Sequence, residues 1–199
     1  FSDTSFLGSL PDRDWRAGIS EAIKVALIKD RTFFEWLESQ AEQLINRDKL
    51  AMEHLVVRCA ELHMQHIASG DPFERGSARP LDFGHWAAHK LEYLTHFALR
   101  HGEAVAIGLA LDTYYSYTQG FLSLEEVRRV HRLIQTLGLP IFHEELKNPK
   151  LLAGLQEFRE HLGGKLTITL LEKLGKGIEV HYMDESSVLQ SIDFLASLG

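Results

Sequence analysis

Apolar positions recur at three- and four-residue spacing along most of the chain, the period of amphipathic helices. From Asp14 to Ile28 the set is Trp15, Ile19, Ala22, Ile23, Ala26 and Leu27, and Pro11-Asp12 precedes it as an entry. This first helix is expected to end near Asp30. Phe33, Phe34, Trp36, Leu37, Ala41, Leu44 and Ile45 predict a second helix. Leu50, Leu55, Val56, Cys59, Leu62 and His66 predict a third over about Lys49–Ile67. Ser69–Pro80 (SGDPFERGSARP) then breaks the pattern with Gly and Pro, and a loop of that length invites a functional reading. Helix returns over Phe83–Phe97 and Gly102–Tyr117. Ser123 and Glu126 stand at capping-box spacing before a helix that runs to Leu137 and stops at Gly138. Another helix is expected from Asn148 or Pro149 to Gly163-Gly164. The period then changes. Leu166–Leu170 alternates and is β-branched, and Gly177–Tyr182 can pair with it as a hairpin before a last helix from Asp184 to about Leu198. The pattern predicts one mainly α domain over 1–199, with a small β-hairpin near its C-terminal end.

Composition narrows the function classes. The chain has 199 residues and a formal charge of −7, from 21 Lys+Arg against 28 Asp+Glu. An acidic excess disfavours a phosphate-binding surface for nucleic acid. The single cysteine, Cys59, excludes an intrachain disulfide and a Cys-rich zinc module. No apolar run is long enough to span a membrane, and FSDTSFLGSLPDRDW lacks the basic and apolar regions of a signal peptide, so a cytoplasmic location is expected. The first residue is Phe rather than Met, which raises the expectation of a fragment or a processed product.

Eleven histidines are the unusual feature. His85 and His89 are four apart and so share one helix face. His101 follows just before the next helix, and two antiparallel helices joined by a short turn would bring the His85 level beside it. Imidazole suits zinc, whose catalytic sites keep three protein ligands and one open position. Glu21 is the candidate carboxylate: it lies on an otherwise apolar helix, with Lys24 on the same face at i+3. Each signal has an ordinary alternative. An i,i+4 histidine pair also serves as a surface or partner-satisfied pair, and Glu21–Lys24 also reads as a solvated ion pair. His54, His96, His131, His143, His161 and His181 stand isolated and are expected to be structural.

At these residues the chain resembles 3-dehydroquinate synthase, in its C-terminal, metal-binding half. Gly18-Ile-Ser-Glu-Ala-Ile-Lys24 resembles the family's G-L-A-E-V-I-K. Leu81–Glu92 (LDFGHWAAHKLE) resembles L-N-F-G-H-T-F-G-H-A-I-E, and Arg100–Gly108 (RHGEAVAIG) resembles L-H-G-E-A-V-A-x-G. Order and spacing agree, and the similarity extends from about Phe6 to the C-terminal helix. The resemblance implies that Glu21, His85 and His101 bind a metal, Zn2+ or Co2+. It implies that His89 supports the substrate hydroxyls and proton movement, and that Lys24 lies near the substrate. The implied reaction is that of an NAD-dependent sugar phosphate cyclase, a carbon–oxygen lyase. An alcohol is oxidised, phosphate leaves by β-elimination, the hydride returns, and an intramolecular aldol step closes a carbocycle. A homodimer and a shikimate-pathway-like role come with the resemblance.

The departures are as informative as the matches. Family members bind NAD on an N-terminal α/β domain, and neither a G-x-G-x-x-G after a strand nor alternating strands and helices occur here. This chain is therefore expected to be the second half of an enzyme, inactive by itself. The family lysine for the substrate carboxylate falls near His63, and the family's loop arginine falls on Ala78 with Arg79 displaced by one. The family asparagine before the first histidine is Asp82, which also reads as an N-cap of the Phe83 helix. The late D-K-K motif reads Phe158-Arg159-Glu160, where Arg159 is the candidate replacement cation. The resemblance thus carries over the metal chemistry and leaves open a sugar phosphate lacking the carboxylate, such as a heptulose 7-phosphate. Two other readings stand beside it: a metal-dependent alcohol or polyol dehydrogenase of similar fold, and a non-catalytic helical interaction module.

Overall fold

The computed structural model describes residues 4–68, 82–161 and 166–198. A short 3-10 turn, Thr4–Ser9, leads into α1 (Asp12–Lys29), whose first turn carries Asp12 and Asp14 at the positive end of the helix dipole. Asp30 ends α1 in an extended conformation, and its side chain accepts from Phe33 N, so one residue both stops α1 and caps α2 (Arg31–Ser39). The single helix predicted over Phe33–Ile45 is in fact two, because Gln40 leaves helical geometry and α3 (Ala41–Ile45) starts anew. Ser39 Oγ donates to the Trp36 carbonyl at this break, the local competition that loosens a last turn. Next comes α4 (Lys49–Ala68), opened by Asp48, whose carboxylate accepts from Ala51 N. The predicted loop Ser69–Pro80 lies outside the described residues.

α5 (His85–Leu94) begins two residues later than the pattern predicts, since Gly84 adopts a left-handed φ of 77°. It also stops sooner, at a turn where His96 and Phe97 have positive φ. Asp82 is accordingly not the N-cap of this helix; Gly84 holds that position, without a side-chain cap. α6 (His101–Thr118) is buried along most of its length, from Ala104 to Ser116, and forms the axis of the domain. A helix apolar all round belongs inside a fold, and α1, α5, α7 and α9 pack about it. α7 (Leu124–Thr136) opens with the predicted capping box: Ser123 Oγ accepts from Glu126 N, while the Glu126 carboxylate accepts from Ser123 N. Removing that cap with Ser123→Ala should lower stability by about 1 kcal/mol, read as a shift in denaturant midpoint without a change in slope.

The helix expected from Asn148 or Pro149 starts later. A 3-10 turn, Glu144–Lys147, comes first, with His143 Nδ1 accepting from Glu145 N at its start. α8 (Ala153–His161) follows, and the predicted stop at Gly163-Gly164 lies outside the described residues. β1 (Ile168–Lys173) and β2 (Lys176–Val180) form the predicted antiparallel hairpin, in register Ile168↔Val180 and Leu170↔Ile178. Its turn docks on α1, where Gly175 N donates to the Leu27 carbonyl. Asp184 caps α9 (Glu185–Ala196) by accepting from Ser187 N. The fold class is thus as predicted, mainly α with a C-terminal hairpin. No helix among the described residues is long and apolar enough to cross a membrane.

Two close backbone approaches fix the three helices that carry the candidate site. α1 meets α6 at Gly102, where a Cβ would lie 2.1 Å from the Ala17 carbonyl oxygen. α5 meets α6 at Gly108, where a Cβ would lie 2.0 Å from the Gly84 carbonyl oxygen. Only glycine allows helices this near one another. The side chains of Glu21, His85 and His101, one from each helix, therefore face a common space.

Candidate metal centre

Glu21 sits in the middle of α1, His85 opens α5, and His101 opens α6. One ligating atom of each lies within 4.8 Å of the other two. Glu21 Oε1 is 3.9 Å from His85 Nε2 and 3.5 Å from His101 Nε2. It is also buried with no hydrogen-bond partner, an arrangement that costs free energy unless something else satisfies it.

The outer nitrogens bear on the tautomer of both rings. His85 Nδ1 is 3.1 Å from the Phe83 carbonyl, and a carbonyl can only accept, so the proton sits on Nδ1 and the lone pair on Nε2. His101 Nδ1 is 3.3 Å from Glu92 Oε1, a carboxylate placed to accept its proton and so to favour the same tautomer. Glu21 Oε1, His85 Nε2 and, in this tautomer, His101 Nε2 thus turn lone pairs toward one space, with the Lys24 ammonium 3.4 Å from His85 Nε2 at its edge. That donor set matches a divalent cation that accepts imidazole and carboxylate ligands.

Charge supports that reading. Burial, followed by the nearby Lys24 ammonium, pushes the His85 imidazole down to about 4, so it is neutral and ready to ligate at ordinary pH. Burial raises the Glu21 carboxyl, but the charge and hydrogen bond of Lys24, together with the neighbouring His85 and His101, outweigh it and hold the group below the usual range. Lys24 Nζ lies 2.6 Å from Glu21 Oε2 and 3.4 Å from His85 Nε2. It is buried, not the solvated partner that the ordinary reading of Glu21–Lys24 requires. Its bond to Oε2 leaves Oε1 as the free oxygen.

His89, one turn along α5, is exposed beside the cluster, with ring centroids 5.5 Å from His85 and 6.2 Å from His101. Asp82 is half-buried in the turn before α5. His63 is exposed on α4, one turn beyond Cys59. Cys59 faces the site's charge: burial, then the Glu21 carboxylate, pushes its thiol up to about 12, so it offers no thiolate. Arg79 lies outside the described residues, and Arg159 lies in α8 with its side chain outside them. The structure therefore brings together Glu21, Lys24, His85, His89 and His101. Three of the isolated histidines have local work: His54 packs at a tilt against Trp36, His131 is buried against the Ala110 carbonyl, and His181 Nδ1 donates to the Leu166 carbonyl.

Two polar residues around the cluster were not singled out from sequence. Glu92, three residues after His89, favours one tautomer of His101 as described. Asp112 is fully buried in α6, its carboxylate accepting from Trp86 Nε1 at 2.9 Å and from Gly84 N at 3.1 Å. The signal for Asp112 is an acid in a helix otherwise apolar from Ala104 to Leu111. Burial raises its carboxyl to about 7 against the pull of both donors. A folded-state value above the unfolded one means the native protein holds this proton more tightly. The stability it contributes is complete below about pH 4 and disappears as pH rises through 7. The stability of the parent minus that of Asp112→Asn should therefore fall by roughly 1.4 kcal/mol per pH unit at most between pH 4 and 7. Lost hydrogen bonds add only a constant offset, so urea denaturation across that range isolates the slope.

A family model described as 3-dehydroquinate synthase C-terminal matches residues 18–160. Among curated proteins, the 3-dehydroquinate synthase of Xylella fastidiosa (strain M12) is 34% identical over 196 residues, covering 95% of this chain and 53% of that protein. The 3-dehydroquinate synthase of Nitrosospira multiformis (strain ATCC 25196 / NCIMB 11849 / C 71) is 35% identical over 192 residues, covering 96% of this chain and 52% of that protein. The chain thus spans about half the length of the curated relatives it matches. A solved structure of 2-epi-5-epi-valiolone synthase from Streptomyces hygroscopicus subsp. jinggangensis 5008, with NAD+ and Zn2+ bound, superposes with a TM-score of 0.93 at 27% identity, covering 99% of this chain and 55% of that one. A 2-deoxy-scyllo-inosose synthase shares the fold, with a TM-score of 0.72 at 20% identity over 100% of this chain and 56% of that one.

Proposed function

This chain belongs to the 3-dehydroquinate synthase family, matching its C-terminal model over residues 18–160, and on that premise we propose that it is the metal- and substrate-binding half of an NAD-dependent sugar phosphate cyclase. The observation that carries the reading is the convergence of Glu21 Oε1, His85 Nε2 and His101 Nε2 within 4.8 Å. These residues would hold a divalent ion such as Zn2+ or Co2+. When bound, the ion supplies Lewis acidity that lowers the pKa of a coordinated hydroxyl and orients it.

The chain's own residues do the remaining work. Glu21 brings one negative charge, and His85, neutral at ordinary pH, brings none. Lys24 holds Oε2, so Glu21 presents a single oxygen, and it places a buried positive charge beside the site. Glu92 favours the His101 tautomer that leaves Nε2 unprotonated. His89 is exposed where a substrate can enter, and its imidazole can take a proton from a substrate hydroxyl and return it later in the same turnover. His63 and Asp82, with Arg79 and Arg159, are the proposed substrate contacts. Asp82 adds negative charge and His63 replaces a lysine of the family pattern, which favours a sugar phosphate lacking the carboxylate, such as a heptulose 7-phosphate. The 27% identical cyclase structure named above supports widening the substrate class beyond that of 3-dehydroquinate synthase.

NAD is a different case. The strands among the described residues form one two-stranded antiparallel hairpin, which lacks the parallel strand–helix–strand unit that cradles a dinucleotide. No such cradle is formed among the described residues, and NAD binding is assigned mainly to an N-terminal α/β domain. The test is turnover by a protein carrying both halves, supplied with NAD and with carboxylated or uncarboxylated seven-carbon sugar phosphates. A cyclase releases phosphate without net NADH; net NADH formation would mean a dehydrogenase instead. Equal or better turnover of the carboxylated sugar would overturn the assignment of His63 and Asp82.

A further inference from the structure

Asp112 stands out because neither packing nor the ligand set accounts for it. It is 0% exposed, on the central helix, among side chains such as Leu109 and Leu111 that an aliphatic residue would match. A buried carboxylate is expensive unless hydrogen bonds compensate it. Its two oxygens are divided between two donors that flank His85 in sequence. Oδ2 accepts from Gly84 N and Oδ1 accepts from Trp86 Nε1. Trp86 is itself 1% exposed, so its indole N–H has no solvent to turn to. The same turn supplies the Phe83 carbonyl that accepts from His85 Nδ1.

We propose that Asp112 is a positioning residue for the metal centre, gripping the turn before α5 on both sides of His85 so that Nε2 points at Glu21 and His101. Resting on the metal-site reading above, this inference extends it one layer outward. The carboxylate fixes the backbone of the turn through Gly84 N and the first turn of α5 through the Trp86 ring. His85 has little freedom left: its Nδ1 is tied to the Phe83 carbonyl, and its Cα lies between two gripped residues. Buried polar networks that are completely satisfied act in this way, restricting a core to one geometry. Outer partners of metal ligands alter metal affinity even though they never touch the ion.

Two substitutions separate this role from plain stability. Asp112→Asn keeps the volume but offers one acceptor, and its amide NH2 opposes one of the two donors. Trp86→Phe keeps an aromatic side chain and removes the indole donor, but it also opens a small cavity where the five-membered ring packed, so metal-free stability is read on the same sample. The probe is Co2+ alone, titrated by calorimetry and by its ligand-field absorption, alongside circular dichroism and the melting temperature of the metal-free protein. Asp112→Asn should weaken Co2+ binding by about tenfold, in the range of lost outer partners, and alter the absorption bands. Trp86→Phe should weaken it several-fold with metal-free helix content unchanged. If Asp112→Asn does not fold, Trp86→Phe carries the test. Co2+ affinity and spectrum equal to the parent's in the folded variants would overturn the inference while leaving the metal centre standing. Absence of Co2+ binding by the parent protein would overturn the metal-site reading, and this inference with it.

Discussion

Alanine at His85 is expected to abolish stoichiometric Zn2+ or Co2+ binding while the helices stay folded. His85 supplies one of only three ligating atoms in the cluster, so its removal should cost more than the roughly 10–100-fold typical of an outer partner. Glu21→Ala and His101→Ala should behave alike, each leaving a two-ligand remnant. The fold should tolerate these changes better than the metal does. His101 is exposed and Glu21 half-buried, although Glu21→Ala also leaves the buried Lys24 ammonium without its carboxylate partner and should lose some stability along with the metal. Calorimetric titration with circular dichroism on the same samples checks both halves of the expectation. Metal affinity unchanged in all three variants would remove the basis for any catalytic reading. Equivalent losses of metal and helix content would mean that His85 supports the fold rather than a ligand site.

Gly108→Ala should be among the most damaging single-methyl changes at the described residues. The added Cβ would stand 2.0 Å from the Gly84 carbonyl oxygen, a contact with backbone rather than with a side chain that can rotate away. Overpacking usually costs 1–3 kcal/mol, and with no repacking available the cost here should be about 3 kcal/mol or more. For a domain of this size that corresponds to a melting temperature roughly 6–12 °C lower. The mechanism also predicts a functional loss. Relief of the clash must push α5 away from α6, which separates His85 from His101. A variant that melts within about a degree of the parent would show that the interhelical contact is looser than described.

Much of this architecture is readable in the residues. Helical period located α1, α4, α6 and α9 to within a few positions, and Ser123 with Glu126 marked the start of α7 through a cap that depends only on local spacing. What could not be read depends on distant partners. The start of α5 is set by Gly84 in a left-handed conformation, with its N–H held by Asp112 from another helix. The break at Gln40 interrupts an apolar pattern that continues undisturbed from Phe33 to Ile45, so periodicity alone misses it. At the site, Glu21, His85 and His101 were legible as candidate metal residues because the charge and imidazole placements depart from the apolar period. Their meeting depends on the Gly102 and Gly108 approaches, a tertiary fact. Lys24 reads as solvated in sequence and is buried in the fold, since α1 turns that face inward. Glu92 and Asp112 act through other residues, and an outer partner leaves no spacing rule to detect.

Whether Glu21, His85 and His101 form a metal centre is decided by anomalous diffraction from crystals grown with Co2+. One strong peak is expected, bonded to Glu21 Oε1, His85 Nε2 and His101 Nε2 at the roughly 2.0–2.2 Å distances usual for nitrogen and carboxylate ligands of such ions. A peak elsewhere with this cluster empty, or a bound ion that His85 does not touch, would contradict it.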